Sequence, residues 1–222
     1  MNQPINIFWF RRDLRLHDNV GFYEALQSNN KVLPIFIYDS EILEHLPQDD
    51  ARVPFIYETL QNMRQLLQDA YGSGIAFYHG NPVSVYKQLL EDYTIETVYT
   101  NQDYEPYAIK RDSEINVFLK THDVSFKTYK DQVIFEKDEI IKGNGTPYMV
   151  YTPYMKQWKT LFKTQSLRIY DTKPHVHNLI QQTNLPNLSL SELGFKPATQ
   201  KIKAYKVTPS LIQNYEATRN FP

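Results

Sequence analysis

A chain of 222 residues with 41% hydrophobic and 22% charged side chains has the composition of an ordinary soluble globular protein and enough apolar material for a substantial core. A formal charge of −1 argues against a general electrostatic grip on DNA, which needs a basic face, so a DNA-binding surface is expected outside these residues. The absence of cysteine removes disulfides, thiolate catalysis and cysteine-ligated zinc together; no signal peptide or membrane-length apolar run is apparent, and a cytoplasmic protein without a membrane partner is expected.

Ile5 to Phe10 is a compact apolar run and predicts a buried strand. Asp18 is placed to cap a helix running to about Ser28. Val32 to Tyr38 is a second continuous apolar strand. Asp49 or Asp50 then offers an N-cap. Val53, Ile56, Tyr57, Leu60, Met63, Leu67 and Ala70 follow at spacings of three and four, which is one face of a helix. Pro54 fits its first turn, where a missing N–H costs little. Gly72-Ser73-Gly74 breaks this helix, and Ile75 to Tyr78 is a third strand. Pro82 opens a helix carrying Val83, Tyr86, Leu89, Leu90 and Tyr93. Thr97 to Thr100 is a fourth strand; Ala108, Ile115, Phe118 and Leu119 mark the next helix; Ser125 to Tyr129 is a short fifth strand.

This alternation predicts an α/β fold over residues 1–131: a Rossmann-like doubly wound, five-stranded parallel sheet with helices on both faces. Residues 132–165 are irregular and aromatic, with a Gly143-Asn144-Gly145 turn and a helix expected from Pro153 to Lys163; they are expected to complete the domain. Residues 166–207, with Pro174, Pro186 and Pro197 among much Ser, Asn and Gln, read as a linker. Residues 208–222 open with a weakly helical pattern.

Ligands of a doubly wound sheet sit beyond the C-terminal ends of the strands, at the point where strand order reverses. Two exits would face each other there: Arg11-Arg12-Asp13-Leu14-Arg15 after the first strand, and Asn101-Gln102-Asp103-Tyr104-Glu105-Pro106-Tyr107 after the fourth. Asp39-Ser40-Glu41-Ile42 follows the second. Arginines opposite carboxylates form ion pairs or hold a polar ligand. No glycine-rich dinucleotide fingerprint, phosphate loop, nucleophile elbow or H-E-x-x-H pair is present. The residues alone therefore reach an α/β domain with a ligand crevice.

The run Trp9-Phe10-Arg11-Arg12-Asp13-Leu14-Arg15-Leu16-His17-Asp18-Asn19 resembles the opening motif of DNA photolyases and cryptochromes. Asp103-Tyr104-Glu105-Pro106-Tyr107, with Arg111-Asp112 after it, resembles that family's fourth-strand exit. Gly143 to Tyr154, running on to Lys156 and Trp158, resembles the segment leading out of its N-terminal domain, and Tyr215 with Arg219-Asn220-Phe221-Pro222 resembles the entry into its helical domain. The resemblance implies an antenna domain that ends before the FAD-binding catalytic domain. The whole protein would use blue light and FAD to split pyrimidine dimers in UV-damaged DNA, and these residues alone would not. A cryptochrome or (6-4) photolyase shares such a domain; an unrelated nucleotide-binding domain is the alternative from another class.

The pigment site implied by the resemblance comprises Arg11, Phe36, Tyr38, Asp39, Ile42, Arg52, Asp103 and Glu105. Phe36 and Ile42 would pack on the ring system, Asp103 and Glu105 would accept hydrogen bonds, and Arg11 and Arg52 would hold polar tails. The plainer alternatives are Phe36 as core, Asp39 as a turn cap and Arg52 as a surface residue. Folate-antenna members resemble Asn-Glu where this chain has Tyr107-Ala108, so 8-hydroxydeazaflavin or FMN is favoured over methenyltetrahydrofolate. No catalytic or metal-binding residue is assigned. Without the helical domain, an apolar surface around residues 140–165 is expected to lie open and to allow the chain to dimerise.

Overall fold

Apolar strands without polar alternation can be buried only where both faces of a sheet are covered. The computed structural model, which describes residues 3–198 and 208–220, meets that condition. In chain order it contains β1 (Ile5–Phe10), α1 (Val20–Leu26), β2 (Lys31–Asp39), α2 (Ser40–Leu43), α3 (Arg52–Tyr71), β3 (Ala76–Gly80), α4 (Pro82–Asp92), β4 (Ile95–Asn101), α5 (Pro106–Lys120), β5 (Ser125–Tyr129), α6 (Tyr151–Phe162), a 3-10 turn (Lys173–Asn178), α7 (Pro209–Gln213) and α8 (Tyr215–Thr218). The five strands form one parallel sheet in the order β3-β2-β1-β4-β5. The doubly wound α/β architecture expected from the sequence is thus present.

The pleat sorts β1 between two cores. Phe8 and Phe10 point to the side of α1 and α3, where they meet Phe22, Leu60 and Leu67. Ile7 and Trp9 point to the side of α4 and α5, among Val85, Tyr86, Leu89, Ile115 and Leu119. Alternate residues of one strand therefore hold two layers of helices, and each buried leucine of these layers is worth about 2–5 kcal/mol against alanine.

Local chemistry sets the helix ends. The N-cap of α1 is Asn19, whose Oδ1 accepts from Phe22 N at 3.1 Å. Asp18, the expected cap, has φ of +51° and instead accepts from Tyr170 N at 3.0 Å. The N-cap of α3 is Ala51, without a side-chain cap bond, rather than the expected Asp49 or Asp50; Asp50, one residue earlier, accepts from Arg52 N at 3.0 Å, and Gly72, at φ of +61°, ends the helix in a left-handed cap. Asn81 caps α4 with Pro82 at its first position. The expected helix from Pro153 to Lys163 begins two residues earlier, at Tyr151.

The stretch read as a linker, 166–207, is not a solvated connector over its described part. Thr172 Oγ1 donates to Leu16 O at 2.6 Å, and Asn178 Nδ2 donates to the carbonyls of Leu26, Ser28 and Asn30 at 3.1, 2.7 and 3.0 Å. Leu179 forms a parallel bridge with Val32, and Phe77 N of β3 donates to Pro186 O at 2.9 Å, so the returning chain covers the sheet edge beyond β2 and β3. The buried Arg64 binds this chain from α3, donating to the carbonyls of Leu185 at 2.8 Å, Pro186 at 3.0 Å and Thr183 at 3.4 Å, as well as to Ile75 O. Leu179, Leu185, Leu193 and Phe195 are buried. Local conformation is irregular, as the prolines imply, but side chains replace the missing backbone ladder. Residues 199–207 of that stretch, and Phe221-Pro222 of the terminal motif, lie outside the described residues.

Candidate functional site

The order of strands reverses between β1 and β4. There a cavity of about 640 Å³ opens at the C-terminal ends of β1 and β2, beneath the loop after β4. All eight residues singled out in the sequence line it: Arg11, Phe36, Tyr38, Asp39, Ile42, Arg52, Asp103 and Glu105. Leu43, Leu46, Val53 and Ile56 extend the apolar wall formed by Phe36 and Ile42. Leu43 ends α2, Leu46 lies in the connection that follows, and Val53 and Ile56 belong to the first turns of α3.

Two polar groups complete the lining. The buried one centres on Asp39, which is both the N-cap of α2 and a bonding partner of α5: its Oδ1 accepts from Glu41 N at 3.1 Å, and its Oδ2 accepts from Tyr107 Oη at 2.6 Å, with Arg111 Nη1 3.8 Å away. Burial raises the Asp39 carboxyl above the usual carboxylate range, opposed by the Tyr107 bond, the Arg111 charge and the Glu41 N–H. Burial also raises the phenol of Tyr107, and the bond to Asp39 adds to this. The more exposed group is ionic: Arg12 stands 3.4 Å from Asp103 and 3.5 Å from Glu105 across the mouth between the β1 and β4 exits.

Roles expected of the arginines change. Arg11 lines the cavity, but its guanidinium is committed elsewhere: Nη1 donates to both oxygens of Asp112 at 2.6 and 2.7 Å, Nη2 donates to Asn101 O, and the group stacks 5.1 Å from the Trp9 ring centre. Arg52 is paired with Asp50 at 2.7 Å and exposed, and the pairing lowers the Asp50 carboxyl to about 2. Arg12 is therefore the cation best placed to meet a polar tail. Asp103 accepts from Arg12 Nη1 at 3.4 Å and orders its own loop by accepting from Glu105 N at 3.2 Å.

The loop after β1 is held by a buried amide–carboxylate network. Asp13 accepts from Arg11 N at 2.9 Å, Asn19 Nδ2 at 2.9 Å and Asn101 Nδ2 at 2.5 Å; Asn101 Nδ2 also donates to Asn19 Oδ1 at 2.8 Å. Gly21 N donates to Asn101 Oδ1 at 2.8 Å, and a Cβ on Gly21 would come within 2.8 Å of that oxygen and 3.0 Å of the Phe8 ring. The arginine-rich motif thus positions the crevice more than it supplies ligand contacts.

A family model described as DNA photolyase matches residues 6–175. The chain belongs to the DNA photolyase family. Over its whole length it is 33% identical to a deoxyribodipyrimidine photo-lyase of Synechococcus, of which it covers 49%, so the chain spans about half the length of that relative. A cryptochrome structure from Synechocystis superposes with a TM-score of 0.76 at 18% identity, covering 98% of this chain and 49% of that one, which shows the shared fold. An archaeal photolyase from Sulfolobus tokodaii, described with two FAD molecules and the implication of a novel light-harvesting cofactor, superposes with a TM-score of 0.61 at 26% identity over 74% of this chain and 36% of that one. The match to the photolyase family sets aside an unrelated nucleotide-binding domain.

Several lining residues of this photolyase-family chain escaped the sequence reading. Tyr107 and Arg111 lie one helical turn apart on α5, and Arg111 stacks on both Trp9 and Tyr107, at 4.8 and 5.6 Å. That i, i+4 spacing was the available signal. Val53 and Ile56 read as part of one apolar helix face, and Leu43 and Leu46 carried no sequence signal of their own. The Trp9 ring is buried in the core.

Proposed function

We propose that this chain is the antenna domain of a photolyase, holding 8-hydroxydeazaflavin or a flavin such as FMN in the switch-point cavity. The observation that carries the reading is the lining itself: one apolar wall, one buried carboxylate–phenol pair and one ionic mouth around about 640 Å³, a size suited to a tricyclic heteroaromatic molecule. Two buried donors beside the cavity support the fit. Tyr38 and Trp9 line the cavity, and their Oη and Nε1 have no hydrogen-bond partner among the described residues, so polar atoms of a bound ring system would find unsatisfied groups in its wall. The pigment would supply light absorption and pass the excitation on to FAD.

The chain's own residues would bind and orient it. Phe36 and Ile42 would flank the ring system; Asp103 and Glu105 would accept from polar substituents; Arg12 would neutralise an anionic tail. The described relative from Sulfolobus with two FAD molecules favours a flavin-like occupant, and Ala108 leaves no carboxylate at the position that folate-antenna members resemble. In the whole protein the reaction would be light-driven, FAD-dependent cleavage of pyrimidine dimers in UV-damaged DNA, in the cytoplasm. The FAD would be held outside this chain.

Fluorescence titration of the purified chain with 8-hydroxydeazaflavin, FMN and methenyltetrahydrofolate tests the reading. Saturable binding of the deazaflavin or FMN, weakened about tenfold or more by Asp103→Ala, is expected. Preference for the folate, or binding unaffected by Asp103→Ala, would contradict it.

A further inference from the structure

The cavity wall carries three side chains that can give up an electron: Trp9, Tyr38 and Tyr107. Loss of an electron makes each ring strongly acidic, so the deciding feature is a base within hydrogen-bond reach of the ring's own proton. Only one of the three has such a base among the described residues. Tyr107 Oη donates to Asp39 Oδ2 at 2.6 Å, whereas Tyr38 Oη and Trp9 Nε1 have no partner there.

Electrostatics separate them further. Trp9 is buried, and the guanidiniums of Arg11 and Arg111 lie 5.1 and 4.8 Å from its ring centre. Without a base it would have to become a cation between two cations; Asp112, bonded to both arginines, offsets part of this. Tyr38 is buried as well, which disfavours any charge left on its ring. Tyr107 also lies near Arg111, whose guanidinium is 5.6 Å from its ring centre. A phenol that sheds its proton as the electron leaves stays neutral, however, and is not repelled by that neighbour. Burial of Asp39 favours its protonated form, which suits it to receive the proton.

We infer that Tyr107 and Asp39 form a proton-coupled electron donor to the light-excited pigment, a route that discharges excitation not passed on to FAD. Light makes a flavin or deazaflavin ring a one-electron oxidant. One electron leaves the Tyr107 ring for the excited ring system, and one proton moves from Tyr107 Oη to Asp39 Oδ2. A neutral tyrosyl radical and a neutral carboxylic acid remain in the protein. Electron and proton then return, the phenol O–H bond re-forms, and no net chemistry results. The proton stays throughout within a contact of 2.6 Å, which keeps its return short. The inference rests on the pigment occupying the switch-point cavity.

Time-resolved fluorescence and transient absorption of the full chain loaded with FMN, or with 8-hydroxydeazaflavin if FMN does not bind, test it, with anisotropy reporting the bound fraction. In the wild type the excited-state lifetime of the bound pigment should be several-fold shorter than in free solution, and a tyrosyl radical should rise as the excited state decays. Tyr107→Phe should lengthen the lifetime several-fold and abolish the radical. Asp39→Asn keeps an oxygen that accepts the phenol's hydrogen bond but removes the base. It should lengthen the lifetime too, and the slowing of the decay in heavy water seen in the wild type should vanish. A purely structural tie between α2 and α5 would leave both readings as in the wild type. Bound pigment with the lifetime of free pigment, a tryptophan radical in place of the tyrosyl one, or a lifetime unchanged by either variant overturns the inference and leaves the cavity reading standing. Absence of bound pigment overturns both.

Discussion

Arg64→Met removes one guanidinium and keeps the hydrocarbon stem, so it isolates the clamp between α3 and the returning chain. Arg64 donates to carbonyls of Ile75, Thr183, Leu185 and Pro186, and its guanidinium lies 5.6 Å from the Phe77 ring centre. Water can reach some of these carbonyls after the change; two of the contacts, to Ile75 and Leu185, are buried. Each stranded carbonyl costs about 1–3 kcal/mol. Removing a buried cation returns part of this, because desolvation already works against the charge and lowers the Arg64 pKa. A net loss of about 3 kcal/mol follows. With a urea m-value near 3 kcal/mol/M, the unfolding midpoint should fall by about 1 M. Limited proteolysis should then cut first between residues 180 and 190 while the sheet stays intact. A midpoint shift under about 0.3 M, with unchanged cleavage, would refute the argument that this chain is clamped through Arg64.

Gly21→Ala should cost about 1–3 kcal/mol, read as a lowered thermal midpoint, because its Cβ would press on Asn101 and Phe8; a neutral result would show that the network can shift. Asp39 has a raised folded-state pKa, so the folded state holds the proton over a window that opens near the unfolded value of 3.8 and extends upward. Its contribution to stability is therefore greatest below that window and falls as pH rises through it. Asp39→Asn should gain on the wild type across the window in urea melts, and a constant difference from pH 3.5 to 7.5 would contradict the assignment. Arg52→Ala should leave pigment affinity within about twofold, since Arg52 is paired with Asp50, whereas Arg12→Ala should weaken it about fivefold; the reverse order would return Arg52 to the site.

The sheet was legible because its strands are buried on both faces and so appear as uninterrupted apolar runs such as Ile5–Phe10 and Val32–Tyr38. The crevice was legible because strand order fixes where exits meet, and the exits carried Arg12, Asp103 and Glu105. What escaped depends on partners distant in sequence. Arg11 reads as a ligand cation until Asp112, 101 residues on, takes its guanidinium. Asp18 reads as a cap until its left-handed backbone passes the role to Asn19. Residues 172–195 carry no helical or strand period, since they are held by Arg64 on their carbonyls and by their own Asn178 on the carbonyls of Leu26, Ser28 and Asn30 rather than through a repeating apolar face.

The measurement that tests the central claim most directly is a crystal structure of the chain with bound FMN or 8-hydroxydeazaflavin. The account predicts the ring system within about 4 Å of Phe36 and Ile42, its polar edge toward Asp103 and its tail toward Arg12. Pigment bound elsewhere on the molecule, with the switch-point cavity holding only water, would contradict it.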